Sequence, residues 1–191
     1  MSHAVDLRGL RKPITWIVFF GLLAAIGISL VSLRYPLKHF AAIKENTELY
    51  GIDPAWVCAI IHAESKFAET ALSRKGASGL MQLTEDTAEW TASRMRLEQY
   101  SFDGIFDPDL NIKIGCNYLA WLLNRYENMN TALAAYNAGS GNVDKWLKNP
   151  DYSSNGRTLD FIPFNETRNY VQRVNSNKAI YDFLLRALAK K

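Results

Sequence analysis

Glu64 closes the segment DPAWVCAIIHAES, whose other residues read as a core-facing helix, and a carboxyl group in that place should hold its proton near neutral pH. Asp53 is a suitable N-cap, Pro54 suits the first helical position, and Trp56, Val57, Ile60, Ile61 and Phe67 recur at spacings of three and four. Extending the face of Val57 and Ile60 by one step reaches Glu64. Apolar neighbours and the negative end of the helix dipole both disfavour the ionised form and raise the pKa. A carboxyl so placed can act as a general acid. Turned outward at a frayed helix end, as most glutamates are, it would carry no chemistry, and this helix alone does not choose.

Further polar groups are bracketed by small residues downstream. In GASGLMQLT, Gly76 and Gly79 flank a turn, with Met81 and Gln82 just before Thr84, a plausible N-cap for the next helix. Glycine lets backbone approach a ligand closely, and a glutamine amide offers a donor and an acceptor to a sugar hydroxyl or N-acetyl group. In ALAAYNAGSGNV, Tyr136 and Asn137 stand at a helix end closed by Gly139, so a phenol and an amide face whatever lies beyond. Each stretch by itself is also an ordinary turn or an ordinary helix terminus. Their order along one chain is what packing alone does not require.

ESKF, GLMQ, AYNAG and IPFNETRNYVQRV, in this order and spacing, resemble the soluble lytic transglycosylase family, the lysozyme-like enzymes that cut bacterial peptidoglycan. The likeness covers residues 43–182 and includes DPDLNIKIGCNYLAWLL, where Asn111, Ile112, Gly115, Tyr118 and Leu119 match the family's connecting helix. The resemblance implies an all-α, lysozyme-like domain that needs no cofactor or metal and has peptidoglycan glycan strands as its partner. It implies Glu64 as the catalytic acid and Ser65 as its motif neighbour. Gly79, Leu80, Met81 and Gln82 would floor the glycan groove, with Met81 and Gln82 touching sugar. Tyr136 and Asn137 would face Glu64, and Glu166 and Tyr170 would support the site from the last motif. Glu166 can equally be a structural carboxylate at a helix start, where negative charge is favoured.

Most glycosidases use two carboxylates, yet only Glu64 combines a helix-packed context with motif neighbours of the right type. A single-acid route is therefore expected. Glu64 would protonate the glycosidic oxygen between N-acetylmuramic acid and N-acetylglucosamine, then accept the proton of the muramic C6 hydroxyl as that oxygen attacks its own anomeric carbon. The family resemblance implies a 1,6-anhydromuramyl product. Two rivals remain: a hydrolytic muramidase of the goose-type lysozyme kind, and a wall-binding protein that keeps the fold without the activity.

The elements that must position these groups are nearly all helical. The apolar periods predict helices over 40–50, 54–66, 84–98, 109–127, 130–138, 142–148, 166–175 and 177–189, with a brief extended piece around Leu97 to Phe102. Loops fall at 73–79, 101–108 and 149–163. The last carries Tyr152 and Phe161, with Phe164 just beyond it; these rings would either stack on sugars or pack the loop onto the core. Residues 176–191 read as an amphipathic helix packed on the domain, with an interaction surface as the alternative.

Ahead of this domain, residues 14–33 contain no charge, and twenty helical residues span about 30 Å, the thickness of a bilayer's hydrocarbon core. The expected order is a cytoplasmic segment over 1–13, a transmembrane anchor over 14–33, a connector over 34–47 and the catalytic domain over 48–191. A signal peptide cleaved near Ala25 and Gly27 is the competing reading. Arg8, Arg11 and Lys12 precede the apolar run but Arg34 and Lys38 follow it, so charge orients it weakly, and the outward-facing domain is expected from the location of the substrate. No cysteine stands near the run for lipid attachment. Net charge is +3 with the basic residues scattered, so nucleic acid is not an expected partner. His3, His39 and His62 are too dispersed for a metal site, and His62 reads as a surface residue because it lies across the helix from Glu64. Cys58 and Cys116 are either a disulfide or two buried thiols.

Overall fold

Helices begin where short polar side chains can take up free backbone N–H groups. In the computed structural model, which describes residues 11–189 and side chains from residue 15 onward, they run α1 (Arg11–Arg34), α2 (Phe40–Tyr50), α3 (Pro54–Glu64) and α4 (Glu85–Arg94). A 3-10 helix (Phe102–Phe106) follows, then α5 (Pro108–Tyr126), α6 (Met129–Ala138), α7 (Ser140–Leu147) and α8 (Asn165–Leu188). Asp53 caps α3 through the Ala55 amide at 2.9 Å, Asp107 caps α5 through the Leu110 amide at 2.8 Å, and Asn128 caps α6 through the Thr131 amide at 3.0 Å. Pro54 and Pro108 occupy the first turns, where their missing N–H costs nothing. The class is all-α, as expected: no strand occurs among the described residues.

Lys38–Lys191 forms one compact unit, whose α3 is its central rod. Val57, Cys58, Ala59, Ile60 and Ile61 are all fully buried, so α3 hides its whole circumference rather than one stripe. Helix α8 lies along α3, α2 packs on α3 and α5, and α6 joins α5 to α8. Asp53 both caps α3 and pairs with Lys178 of α8 at 3.3 Å, while Lys178 also meets Asp182 at 2.7 Å. Cys58 and Cys116 are buried free thiols that burial pushes up to about 12.

Several expectations are corrected. His62 is 3% exposed, with its Nδ1 3.0 Å from the Tyr181 hydroxyl of α8; a face opposite Glu64 is not a surface when the helix is enclosed on all sides. The helices expected over 166–175 and 177–189 are a single α8, because the polar run Asn175–Lys178 contains neither Gly nor Pro to break it. Asn175 bonds instead to the Val171 carbonyl, at 2.8 Å. The connector expected over 34–47 is shorter, since α2 already belongs to the compact unit that starts at Lys38. The extended piece near Leu97 is absent, and isolated bridges join Leu72 to Ser78 and Ser78 to Leu83 instead. In the 149–163 loop, Ser153 is buried and donates to the Thr158 carbonyl at 2.7 Å, holding the loop to itself. Phe164 packs edge-on against Trp146 at 4.9 Å, and the Arg168 guanidinium lies 4.7 Å over Phe161.

The first unit ends at Leu37 and carries α1, which is long and apolar enough to cross a membrane between Thr15 and Arg34. Most of the expected 1–13 segment lies outside the described residues.

Candidate functional site

Helix α3 ends at Glu64 because the chain turns there: Ser65 is its C-cap, donating from its hydroxyl to the Ile61 carbonyl at 3.2 Å, and Lys66 and Phe67 adopt left-handed φ values of 53° and 64°. The turn leaves Glu64 half-buried. Burial pushes its carboxyl up from 4.5 to about 7. The Tyr170 hydroxyl and the Arg173 guanidinium, both on α8, pull in the opposite direction, and the Glu166 carboxylate on the same helix adds a smaller push upward. Tyr170 itself is 1% exposed, and its hydroxyl has no well-formed hydrogen bond; its approach to Glu64 is looser than one. Burial first, then the Glu64 charge, raise both the Tyr136 and Tyr170 hydroxyls well above their ordinary range. Two un-ionised phenols therefore flank one carboxyl.

The GLMQ turn is linked to this group through Tyr136, which bonds the Met81 carbonyl and feels the Glu64 charge. Ser78 and Leu83 exchange backbone hydrogen bonds of 2.9 and 3.1 Å, closing a tight turn over residues 79–82. Its anchor is Asn111 of α5, whose amide donates to the Ser78 and Ile105 carbonyls at 3.1 and 2.9 Å and accepts from the Met81 amide at 2.8 Å. Gly79 has φ +75°, and a Cβ there would strike the Asn111 side chain, so its glycine serves a protein contact rather than a sugar. Leu80 and Met81 are fully buried, and Met81 fills the space left by Gly115 of α5. Of the three residues expected at the floor of the groove, Gly79 and Met81 thus pack against α5, and Leu80 is buried with them. Gln82, half-buried at φ 47°, donates to the Ala71 and Gly79 carbonyls at 3.0 and 2.9 Å, and its amide oxygen is left as an acceptor.

Helix α6 delivers the remaining groups at its C-terminus, stopped by Gly139 at φ +84°. The Tyr136 hydroxyl donates to the Met81 carbonyl at 2.8 Å, tying α6 to the GLMQ turn beside Glu64. Asn137 accepts from the Thr167 hydroxyl of α8 at 2.8 Å, which leaves its amide NH2 available. The fold thus brings Glu64, Tyr136 and Tyr170 together, with Glu166 exposed on the first turn of α8 and within electrostatic reach.

Sequence reasoning assigned no role to Asn111, Thr167 or Arg173 beyond motif membership. Asn111 carried a usable signal: it lies four residues before Gly115 and eight before Leu119, on the buried face of α5, where a polar side chain demands partners. Thr167 and Arg173 act on α3 and α6 from a distant part of the chain, and no local pattern marks them. The sequence drew no attention to Trp90 or Trp121, and marked Tyr118 only as a motif match. Tyr118 stands 5.4 Å from Tyr136, ring centre to ring centre. A separate cavity of 540 Å³, lined by residues such as Leu72, Phe102 and Phe106, borders none of Glu64, Gln82, Tyr136 or Asn137, so size does not mark the chemistry here.

A half-buried carboxyl raised to about 7 beside two neutral phenols can donate a proton to a bound oxygen and take one back. Among the described residues no three His, Cys, Asp or Glu side chains gather as a metal site.

The family described as the transglycosylase SLT domain matches residues 41–157, and one described as the soluble lytic transglycosylase helical domain matches residues 161–189. The chain is similar to the soluble lytic murein transglycosylase of Escherichia coli K12, at 36% identity in an alignment of 159 residues that covers 80% of this chain and 24% of that protein. It is similar to the membrane-bound lytic murein transglycosylase C of Pectobacterium atrosepticum, at 31% identity over 75% of this chain and 46% of that protein. Among solved structures, the lytic transglycosylase Slt of Pseudomonas aeruginosa, an inactive glutamate-to-glutamine mutant, superposes with a TM-score of 0.74 at 37% identity, over 82% of this chain and 26% of that one. The chain thus spans between about a quarter and a half of the length of these relatives.

Proposed function

Because the chain belongs to the transglycosylase SLT family, we propose that it is a lytic transglycosylase that cuts the β-1,4 bond between N-acetylmuramic acid and N-acetylglucosamine in peptidoglycan. The observation that carries this reading is the half-buried Glu64 carboxyl, raised to about 7 between Tyr136 and Tyr170. Near neutral pH both its protonation states are populated, as an acid that must later serve as a base requires.

Protonated Glu64 donates to the glycosidic oxygen as the bond to the muramic anomeric carbon breaks. The resulting carboxylate then accepts the C6 hydroxyl proton while the C6 oxygen bonds to that carbon. Atoms balance without water, and the product is a 1,6-anhydromuramyl end. The substrate's own N-acetyl group stabilises the cation between the steps, in the role a second carboxylate plays in most glycosidases. Gln82 and Asn137 contribute amide groups for substrate contacts, and Tyr136 and Tyr170 keep the acid desolvated. Ser65 shapes the turn behind Glu64, and Glu166 tunes it from the groove's edge.

Helix α1 anchors the enzyme in the cytoplasmic membrane with the catalytic unit on the outer side, where peptidoglycan lies. Its Trp16 is exposed near one end, where an indole suits a membrane interface, and Phe19 and Phe20 beside it are exposed apolar rings suited to the hydrocarbon.

Mass spectrometry of digested sacculi tests the reaction. Anhydro ends, one water lighter than reducing ends, are expected from the native chain and none from Glu64→Gln. Reducing muramic ends alone would point to the hydrolytic reading, and undiminished cleavage by Glu64→Gln would remove Glu64 as the acid.

A further inference from the structure

Beyond Tyr136 the protein carries a second group of aromatic residues that the proposed reaction does not use. Tyr118 of α5 leans on Tyr136 at 5.4 Å and stacks on Trp121 at 6.0 Å with 16° between the ring planes. Trp90 of α4 stands nearly perpendicular to Tyr118, 6.2 Å away at 86°, and steeply inclined to Trp121, 4.7 Å away at 70°. The rings make a corner, and the corner lines a groove of 470 Å³ whose other walls are Asp86, Thr87 and Ser140. Trp90 is 40% exposed, a large apolar surface to leave in water.

We propose that Trp90, Tyr118 and Trp121 form an additional sugar subsite, which takes a neutral N-acetylated pyranose of the same glycan strand that Glu64 cleaves; the identity of the strand rests on the function proposed above. A pyranose has apolar C–H faces and a rim of hydroxyls. The ring corner offers flat apolar surface to the former, while Asp86, Thr87 and Ser140 offer acceptors and donors to the latter. Continuity chooses the occupant: the aromatic contacts run unbroken from Trp90 through Tyr118 to Tyr136 beside the acid, so a ligand filling both places must be extended. Charge favours the sugar over the peptide stem, because the charged residue lining the groove is Asp86, which accepts from hydroxyls and repels carboxylates. The Arg94 guanidinium, 4.9 Å over Trp90, helps to hold that indole in place.

The test is calorimetric titration of the full chain in detergent, carrying Glu64→Gln so that ligands survive, with peptide-free β-1,4-linked N-acetylglucosamine disaccharide and hexasaccharide as probes. The hexasaccharide should bind more tightly, and adding Trp90→Ala or Trp121→Ala should weaken it about tenfold, erasing most of the gain from length. Trp90→Phe, which keeps a ring, should retain most of that gain. Circular dichroism checks that each variant is folded; Trp90 is exposed, so its replacement leaves the core intact. A hexasaccharide affinity unchanged by Trp90→Ala, a loss equal for both probes, or no preference for length in the parent would each overturn the subsite. The two readings fail separately. Intact cleavage of sacculi by the native chain with no effect of Trp90→Ala on length preference removes the subsite alone, whereas a ring-dependent length preference in a chain that cuts no sacculi removes the reaction alone.

Discussion

In the proposed reaction Glu64 would tie catalysis to stability through one proton. Its folded pKa lies above the unfolded value, so the neutral form is the one the fold tolerates: its contribution is complete below about 4.5 and is lost as pH rises through about 7. The native chain should therefore lose up to about 3 kcal/mol of stability across that window. Glu64→Gln mimics the neutral acid and should lose none of it. Denaturant unfolding at pH 4 and pH 8 reads the difference: the two proteins should match in acid and diverge in base, with the glutamine variant the more stable. Parallel curves at both pH values would mean that Glu64 is not desolvated. Activity has its own demand on the same proton, and kcat/KM should fall roughly tenfold per pH unit above about 7 as the acid form disappears. The sequence made Glu64 visible through the period of its helix. Its environment was not visible, because Tyr170 and Arg173 reach it from more than a hundred residues away along the chain. His62 failed for a related reason: helical period separates two faces of α3 but cannot say that both are covered.

At the scale of elements, the GLMQ turn is held by α5 through Asn111. Asn111 bonds two carbonyls and one amide of this region; the Ser78 carbonyl also accepts from the Leu83 amide, but replacing Asn111 with leucine would strand the Ile105 carbonyl and the Met81 amide in a buried place. Each buried group left unpaired costs about 1–3 kcal/mol, so Asn111→Leu should lower stability by several kcal/mol in denaturant unfolding. Gly115→Ala poses a closer contest. Alanine gains about 1 kcal/mol of helix propensity in α5, but its Cβ would meet the Met81 side chain, and overpacking costs about 1–3 kcal/mol. The clash includes the Met81 Cβ at 3.1 Å, which the side chain's flexible end cannot relieve, so net destabilisation of about 1 kcal/mol is expected in thermal or denaturant unfolding. A more stable Gly115→Ala protein would show that Met81 is not packed against α5 as described. Helix positions were legible because caps such as Asp53 and Thr84 and stops such as Gly139 are local signals. The use of a glycine was not. Gly79 reads the same in sequence whether its missing Cβ makes room for a sugar or for Asn111, and only the tertiary contact decides. The polar run from Asn175 to Lys178 misled in the same way, since its partners on other elements cannot be read from α8 alone.

For the molecule as a whole, the proposed anchoring by α1 would set where the compact unit works. A span from Thr15 to Arg34 with exposed apolar side chains has no use for them in water, and a membrane would cover them. If α1 spans the bilayer, the full chain should stay in the membrane fraction through high salt and alkaline carbonate and come out only with detergent. Arginine near the middle of such a helix costs about 2.5–3.5 kcal/mol on insertion scales, so Leu22→Arg combined with Ile26→Arg should shift the chain toward the soluble fraction. Release of the native chain by salt alone would mean surface attachment, and a mature protein whose mass shows loss of the residues up to about Gly27 would mean an export signal. On the proposed function, retention would matter for the chemistry, because an enzyme held at the membrane would meet only the glycan strands within reach of its tether. Sacculi digestion by the double-arginine variant measures that restriction: in solution it should cut strands as the detergent-solubilised native chain does, since neither substitution touches the compact unit from Lys38 onward.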